Sequence, residues 1–265
     1  MVDHELLLQE GKLQESLESI QDKIRSDASN LDYRIFLFQL LAVRGSWDRA
    51  EKQLDVIAKL DDGALAMVHA YRAAIQCERT REEVFSAKLE PVFMGQPKEW
   101  QALMVQALKM TIEGKNELAL ELRSKALEMA ETLSGSINGD AFEWIADADS
   151  RIGPTLEVFV EGRYMWVPFT NISRIELDEP EDLRDMVWMP AHIQWQTEGE
   201  SFVMIPTRYP YSADQHDALA LSRKTEWIDA GSETYVGFGQ RQLVTDVNDY
   251  PLLDIRELTL ESNDN

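Results

Sequence analysis

Three short stretches of the chain share one pattern of punctuation. They read EGKLQESLESI (Glu10 to Ile20), RGSWDRAEKQL (Arg44 to Leu54) and EGKNELALELR (Glu113 to Arg123). Each has a glycine, then a small residue five positions on: Gly11 and Ser16, Gly45 and Ala50, Gly114 and Ala119. Gly11 and Gly45 lie 34 residues apart, and Gly45 and Gly114 lie 69 apart, close to twice that. A helix–turn–helix unit of this length is the mark of tetratricopeptide-like repeats. One helical hairpin cannot bury both its apolar faces, so such units stack into a solenoid. The glycine ends the first helix in a left-handed conformation that costs it least. The small residue lets the second helix approach closely.

The period places a further copy near residue 79, where the chain reads RTREEVFSAKL, with Arg79 at the glycine position and Val84 five on. Val84, Phe85 and Leu89 keep helical spacing there. Helices are expected over 3–9, 13–26, 31–44, 47–60, 64–77, 81–91, 97–112 and 116–132. Pro97 suits the first turn of a helix, where its missing donor is not needed.

Composition narrows the function classes. The 265 residues carry a formal net charge of -22 and a pI near 4.5. Such a surface repels phosphate backbones and anionic lipid, so neither nucleic acid nor membrane is an expected partner. The single cysteine, Cys77, provides no disulfide framework and no cysteine metal site. The opening MVDHELLLQEGK has no basic segment followed by a long apolar core, which makes the cytoplasm the expected location.

The texture changes near residue 134. LSGSINGDAFEWIADADSRIGP is rich in Gly, Ser, Asn and Asp and reads as a boundary, with one short helix expected in AFEWIADAD. Beyond it, LEVFVEGRYMWVPF alternates and turns at Glu161-Gly162 as a hairpin does. ISRIELDEP, VWMPAHIQWQ, ESFVMIPTRYP and ETYVGFGQRQLVTDVNDYPLLDIRELTLE supply further strands. Helical inserts are expected at PEDLRDMV and DQHDALALSRKTEWID. The fold class is therefore multidomain α+β: a tetratricopeptide-like α–α superhelix over 1–133, a linker with a short helix over 134–152, and a mainly antiparallel, barrel-like α+β domain over 153–265.

No catalytic or metal motif stands out. His4, His69, His192 and His216 form no HExxH pair. DADSR (Asp147 to Arg151) lacks the glycine and terminal glutamate of a calcium loop, and GFGQRQ departs from a phosphate cradle at its last position. Asp214 of DQHD reads as a helix cap. An enzyme would need a constellation assembled across strands, such as Asp147, Arg208 and His216. Arg151, Arg163, Arg208, Arg223 and Arg241 recur in this acidic chain, and two accounts stay open. They pair with carboxylates such as Asp149, Asp185 or Glu226 to fix the fold. Or Asp147, Asp149, Arg151, Arg208 and Arg241 line a polar pocket for an anionic ligand. Trp166, Trp188 and Trp227 are expected in the core, their ring N–H groups meeting buried acceptors.

Five motifs appear in order: DSRIGPTLEVFVEGRYMWVPF, LRDMVWMPA, IPTRYPYS, SRKTEW and GFGQRQLVTD. Together they resemble the ImpE/TagJ family (SciE-type virulence proteins), accessory proteins of the bacterial type VI secretion system. The helical first half is similar to that family's tetratricopeptide-like region. The resemblance implies a non-catalytic cytoplasmic helper without cofactor or metal. Its implied partner is the small contractile-sheath subunit, TssB, bound through that subunit's N-terminal helix, with an indirect link to the ClpV ATPase. Repeat register places Asp32, Ile35, Gln39, His69, Ala73, Met104 and Leu108 on the inner face of the first helices, where such a helix would lie. Two alternatives remain: a general scaffold or co-chaperone, and an enzyme with its site in the β-rich part.

Overall fold

The structure is a computed structural model, and it describes residues 4–261. The first expected helix starts at residue 3, outside the described residues. The helices of the first half are α1 (His4–Gln9), α2 (Leu13–Ser26), α3 (Leu31–Val43), α4 (Trp47–Leu60), α5 (Leu65–Phe85), α6 (Glu99–Ile112) and α7 (Asn116–Met129). The repeated punctuation closes α1, α3 and α6 in the same way. Gly11, Gly45 and Gly114 have φ of 77°, 62° and 72°. The amide after each glycine reaches back five residues: Lys12 to Leu7 O at 2.9 Å, Ser46 to Leu41 O at 2.9 Å, Lys115 to Met110 O at 2.8 Å. These are Schellman caps, which satisfy the last carbonyls of a helix. Ser16, Ala50 and Ala119 are fully buried, where α2, α4 and α7 meet their partners.

The expected break at residue 79 does not occur. Arg79 lies inside α5, which runs through both of the helices expected there. It reaches α4 instead, with Asp48 at 2.8 Å and Glu51 at 3.0 Å. Without a glycine, Glu78 to Glu83 propagate the helix, and the left-handed turn comes at Ala87, φ 57°. The chain then forms β1 (Val92–Phe93), so α5 has no second helix of its own. The pair α6–α7 closes around a small cluster of Trp100, Leu103, Met104 and Ala126.

The second half holds β2 (Gly135–Ile137), β3 (Asp140–Phe142), β4 (Ile145–Asp147), β5 (Thr155–Val160), β6 (Arg163–Pro168), β7 (Ile172–Glu176), β8 (Trp188–Trp195) and β9 (Glu200–Pro206). A short α8 (Asp217–Ala220) follows, then β10 (Thr225–Asp229), β11 (Tyr235–Gly239), β12 (Gln242–Thr245), β13 (Asp249–Pro251) and β14 (Glu257–Leu260). Nine strands form one sheet in the order β1-β6-β5-β9-β8-β7-β14-β2-β3. Its two ends do not pair, so the expected barrel is an open sheet. Pairing is antiparallel except where β1, from the helical half, joins β6 in parallel. The segment expected to hold a short helix contributes β3 and β4, and PEDLRDMV forms turns. Of DQHDALALSRKTEWID only α8 is helical. TEWID is β10, because its Trp and Ile suit a strand and β11 offers a partner.

Strand alternation makes the large sheet a layer with two apolar faces. Leu156, Val158, Met165, Val167, Met189 and Ile193 face a second core completed by Ile145, Leu243 and Tyr250. Phe159, Tyr164, Trp166 and Trp188 face the other way, into one continuous core with Phe38, Leu41, Tyr71 and Ile75 of the helices.

Candidate partner-binding surface

The polar residues singled out in the second half do come together, at the junction between the helices and the sheet. Arg81 of α5 donates to both oxygens of Glu157 of β5, at 2.7 and 2.9 Å, and to Arg208 O at 2.9 Å. Arg241 pairs with Glu157 and with Asp147. Tyr164 Oη donates to Glu157 Oε1 at 2.5 Å and accepts from Trp166 Nε1 at 2.6 Å. Trp188 Nε1 donates to Glu78 Oε1 at 3.0 Å. In the DADSR turn, Asp149 takes the amide of Arg151 at 2.9 Å, its guanidinium at 2.6 Å and the amide of Gly237 at 2.9 Å.

Charge balances within this network. Arg81, Arg151, Arg208 and Arg241 face Glu78, Asp147, Asp149 and Glu157, and all eight are buried. Burial alone would raise Glu157, but Arg81 and Arg241 outweigh it and hold the carboxyl down at about 2. Burial pushes Asp147 up to about 6, against the pull of Arg241. Asp147, Asp149, Arg151, Arg208 and Arg241 each hydrogen-bond within the protein, and Arg208 also borders a hollow with Glu78 and Arg81.

Arg208 has no carboxylate in hydrogen-bond contact. Its guanidinium donates to Ala42 O at 2.9 Å, to Val43 O and to Ala220 O at 2.6 Å, where α3 and α8 end. Burial draws it down to about 10, opposed by Glu78. A cation there complements the helix dipoles. Arg223 does the same for α1, at Leu8 O (2.8 Å) and Gln9 O (3.0 Å). Asp217 accepts the amide of Leu13 at 3.0 Å, the first residue of α2. Side chains of the β-rich half thus cap three helices of the other half. The constellation that an enzyme would need, Asp147, Arg208 and His216, does not come together: His216 is exposed and meets Glu226 at 3.2 Å. Trp227 is 38% exposed against the ring of Tyr209, and so is not the core residue expected, whereas Trp166 and Trp188 are.

The residues expected on an inner helical face are dispersed. Asp32 and His69 are exposed, and Ile35 and Ala73 are half-buried. Gln39, Met104 and Leu108 are buried within the cores, a correction to their expected accessibility.

Of that set, Ala73 lines an open groove. Ala70, Ala73, Ala74 and Cys77 of α5 form one wall of a hollow of about 330 Å³. The opposite wall is the helix-facing side of the sheet: Phe159, Pro190, Phe202 and Met204. At this point β5 and β9 share a single register pair, Phe159 with Met204. Trp188, Pro190 and His192 alternate along β8 on this side, and Met204 and Phe202 along β9. Trp188 is fully buried beneath the helices, whereas Phe202 is 84% exposed. The helical layer stops short of covering the sheet.

Beyond Phe202 the same strip turns acidic. A second hollow of about 310 Å³ shares Pro190 and Phe202 and is bordered by Glu176, Asp178 and His192. The His192 ring stacks on Phe202 at 4.8 Å. Its nitrogens lie 3.3 Å from Glu176 Oε2 and 3.3 Å from Glu200 Oε2. Arg174, at the far margin, is engaged by Glu176 and Glu257. Sequence reasoning passed over Phe202 and Pro190. The signal is the unbroken apolar run FVMIP in β9, which demands cover on both sides of the strand.

The description "ImpE protein" belongs to the family that matches residues 139–259, most of the β-rich half. Across 261 residues the chain is 46% identical to a Pseudomonas aeruginosa protein named type VI secretion system accessory component TagJ. That alignment covers 98% of this chain and 92% of the relative. A crystal structure of protein VPA1032 from Vibrio parahaemolyticus superposes with a TM-score of 0.89 at 25% identity, covering 98% of both chains. Identity at this level over nearly the whole chain, joined to a matching fold, means that the chain belongs to the ImpE/TagJ family.

Proposed function

We propose that the protein is a non-catalytic accessory factor of the type VI secretion system. It binds the small sheath subunit TssB through that subunit's N-terminal helix and assists sheath assembly or recycling by ClpV in the cytoplasm. The observation that carries this role is the 46% identity with TagJ, over an alignment that spans both helices and sheet. Two features of the fold support it. The helical hairpins, with glycine caps 34 and 69 residues apart, suit a tetratricopeptide-like scaffold for a peptide or helix. Of the charged groups expected around a pocket, Asp147 pairs with Arg241 and Asp149 with Arg151 at the joint.

Co-purification tests the role. Tagged protein mixed with the full sheath small subunit should elute as a stable complex, and removal of that subunit's first helix should abolish it. Recovery of other proteins without the sheath subunit would assign a general scaffold or co-chaperone role instead.

A further inference from the structure

The sheet leaves one strip of its helix-facing side uncovered, and we infer that an amphipathic helix of a partner protein docks there alongside α5, extending the helical layer. The inference rests on the binding role proposed above and adds the surface and the chemistry of the occupant. Layers of helix on sheet are stable when the apolar side of each is covered. Here α5 covers Trp188 but leaves Phe202 at 84% exposure, a large aromatic at the centre of an otherwise ordered strand. The wall that α5 offers is made of Ala70, Ala73 and Ala74, small enough for a second helix to approach closely. From Ala70 to Cys77 the wall runs about 10 Å, two turns of an incoming helix.

Charge selects the occupant. The apolar groove is bordered by Glu161 at one end and continues into Glu176, Asp178 and Glu200 at the other. The cationic side chain in contact with this shelf, Arg174, is already engaged. A helix with an apolar stripe over Phe202 and lysine or arginine toward the shelf is therefore complementary, whereas a second copy of this acidic chain is not.

Two probes separate this surface from the proposed role: the N-terminal segment of the sheath small subunit, and a synthetic helix with a leucine stripe and lysines at one end. Each is titrated against the wild-type chain and the Phe202→Ser, Ala73→Glu and Glu176→Lys/Glu200→Lys variants. Phe202 and Glu200 are exposed, and melting curves check Ala73→Glu and the double variant, since Glu176 is half-buried and paired with Arg174. Both probes should bind the wild type and weaken at least tenfold in each variant, and replacing the synthetic lysines with glutamate should do the same. If the synthetic helix binds in this way and the sheath segment does not, the surface stands and the sheath role falls. If the sheath segment binds all variants with unchanged affinity, the surface is wrong and the role stands. If neither probe binds the wild type, both are overturned.

Discussion

Arg81 of α5 and Glu157 of β5 form a two-pronged ion pair, 2.7 and 2.9 Å, with both side chains almost wholly out of solvent. They lie 76 positions apart, one in each half of the chain. Neither half can be removed without stranding a buried charge. Removing one partner of a buried pair costs about 3–5 kcal/mol, since the other stays unpaired. Arg81→Met should lower unfolding free energy by that order in urea titration, with helical and tryptophan signals lost together. Separate transitions in the two signals would mean that the joint does not couple the halves.

Acid sensitivity follows from Glu157, held at about 2 against an ordinary value near 4.5. Its folded value is depressed, so its stabilisation is present above about 4.5 and is lost as pH falls toward 2. Asp147 works in the opposite sense. Its folded value is raised to about 6 from 3.8, so its contribution weakens as pH climbs through that interval. Glu157→Gln should flatten the acid limb of a stability–pH curve below 4.5, and Asp147→Asn the slope between about 4 and 6. A wild-type curve with no slope between pH 2 and 4.5 would contradict the assignment.

Caps supplied across the joint give a smaller effect. Asp217→Ala removes the acceptor for the amide of Leu13 and should cost about 1 kcal/mol, the ordinary value of an N-cap. Thermal melting of that variant checks it: a melting temperature equal to wild type would show that solvent replaces the carboxylate without loss.

The repeated glycines differ in what surrounds them. An added Cβ at Gly114 meets nothing within 4 Å, so Gly114→Ala should cost only the left-handed backbone, about 1–2 kcal/mol. At Gly45 the same atom would lie 2.9 Å from Cβ of Ala213 in the β-rich half. Gly45→Ala should therefore destabilise more than Gly114→Ala in parallel denaturant titrations. Equal losses would indicate that the loop at Ala213 yields freely.

Much of this organisation was written locally. Gly11, Gly45 and Gly114 announced three helix ends because a left-handed cap is a property of a few adjacent residues. Arg79 misled because a period is no substitute for a breaker, and the segment around it favours helix. AFEWIADAD was misjudged because β4 exists through a partner far along the chain, β12, and TEWID because β11, just beyond a short loop, pairs with it as a hairpin. The arginine–carboxylate joint was legible as residue types, but Glu157 and Arg81, its hub, were hidden among a strand and a helix with no local sign of burial. The uncovered strip at Phe202 depends on which part of the sheet α5 leaves bare, which only the assembled fold reveals.

Calorimetric titration of the intact protein with the N-terminal segment of the sheath small subunit addresses the proposed role most directly. The expected result is saturable one-to-one binding with a negative heat-capacity change, the mark of apolar burial. An absence of saturable heat, with the segment shown to be helical and the protein folded, would contradict it.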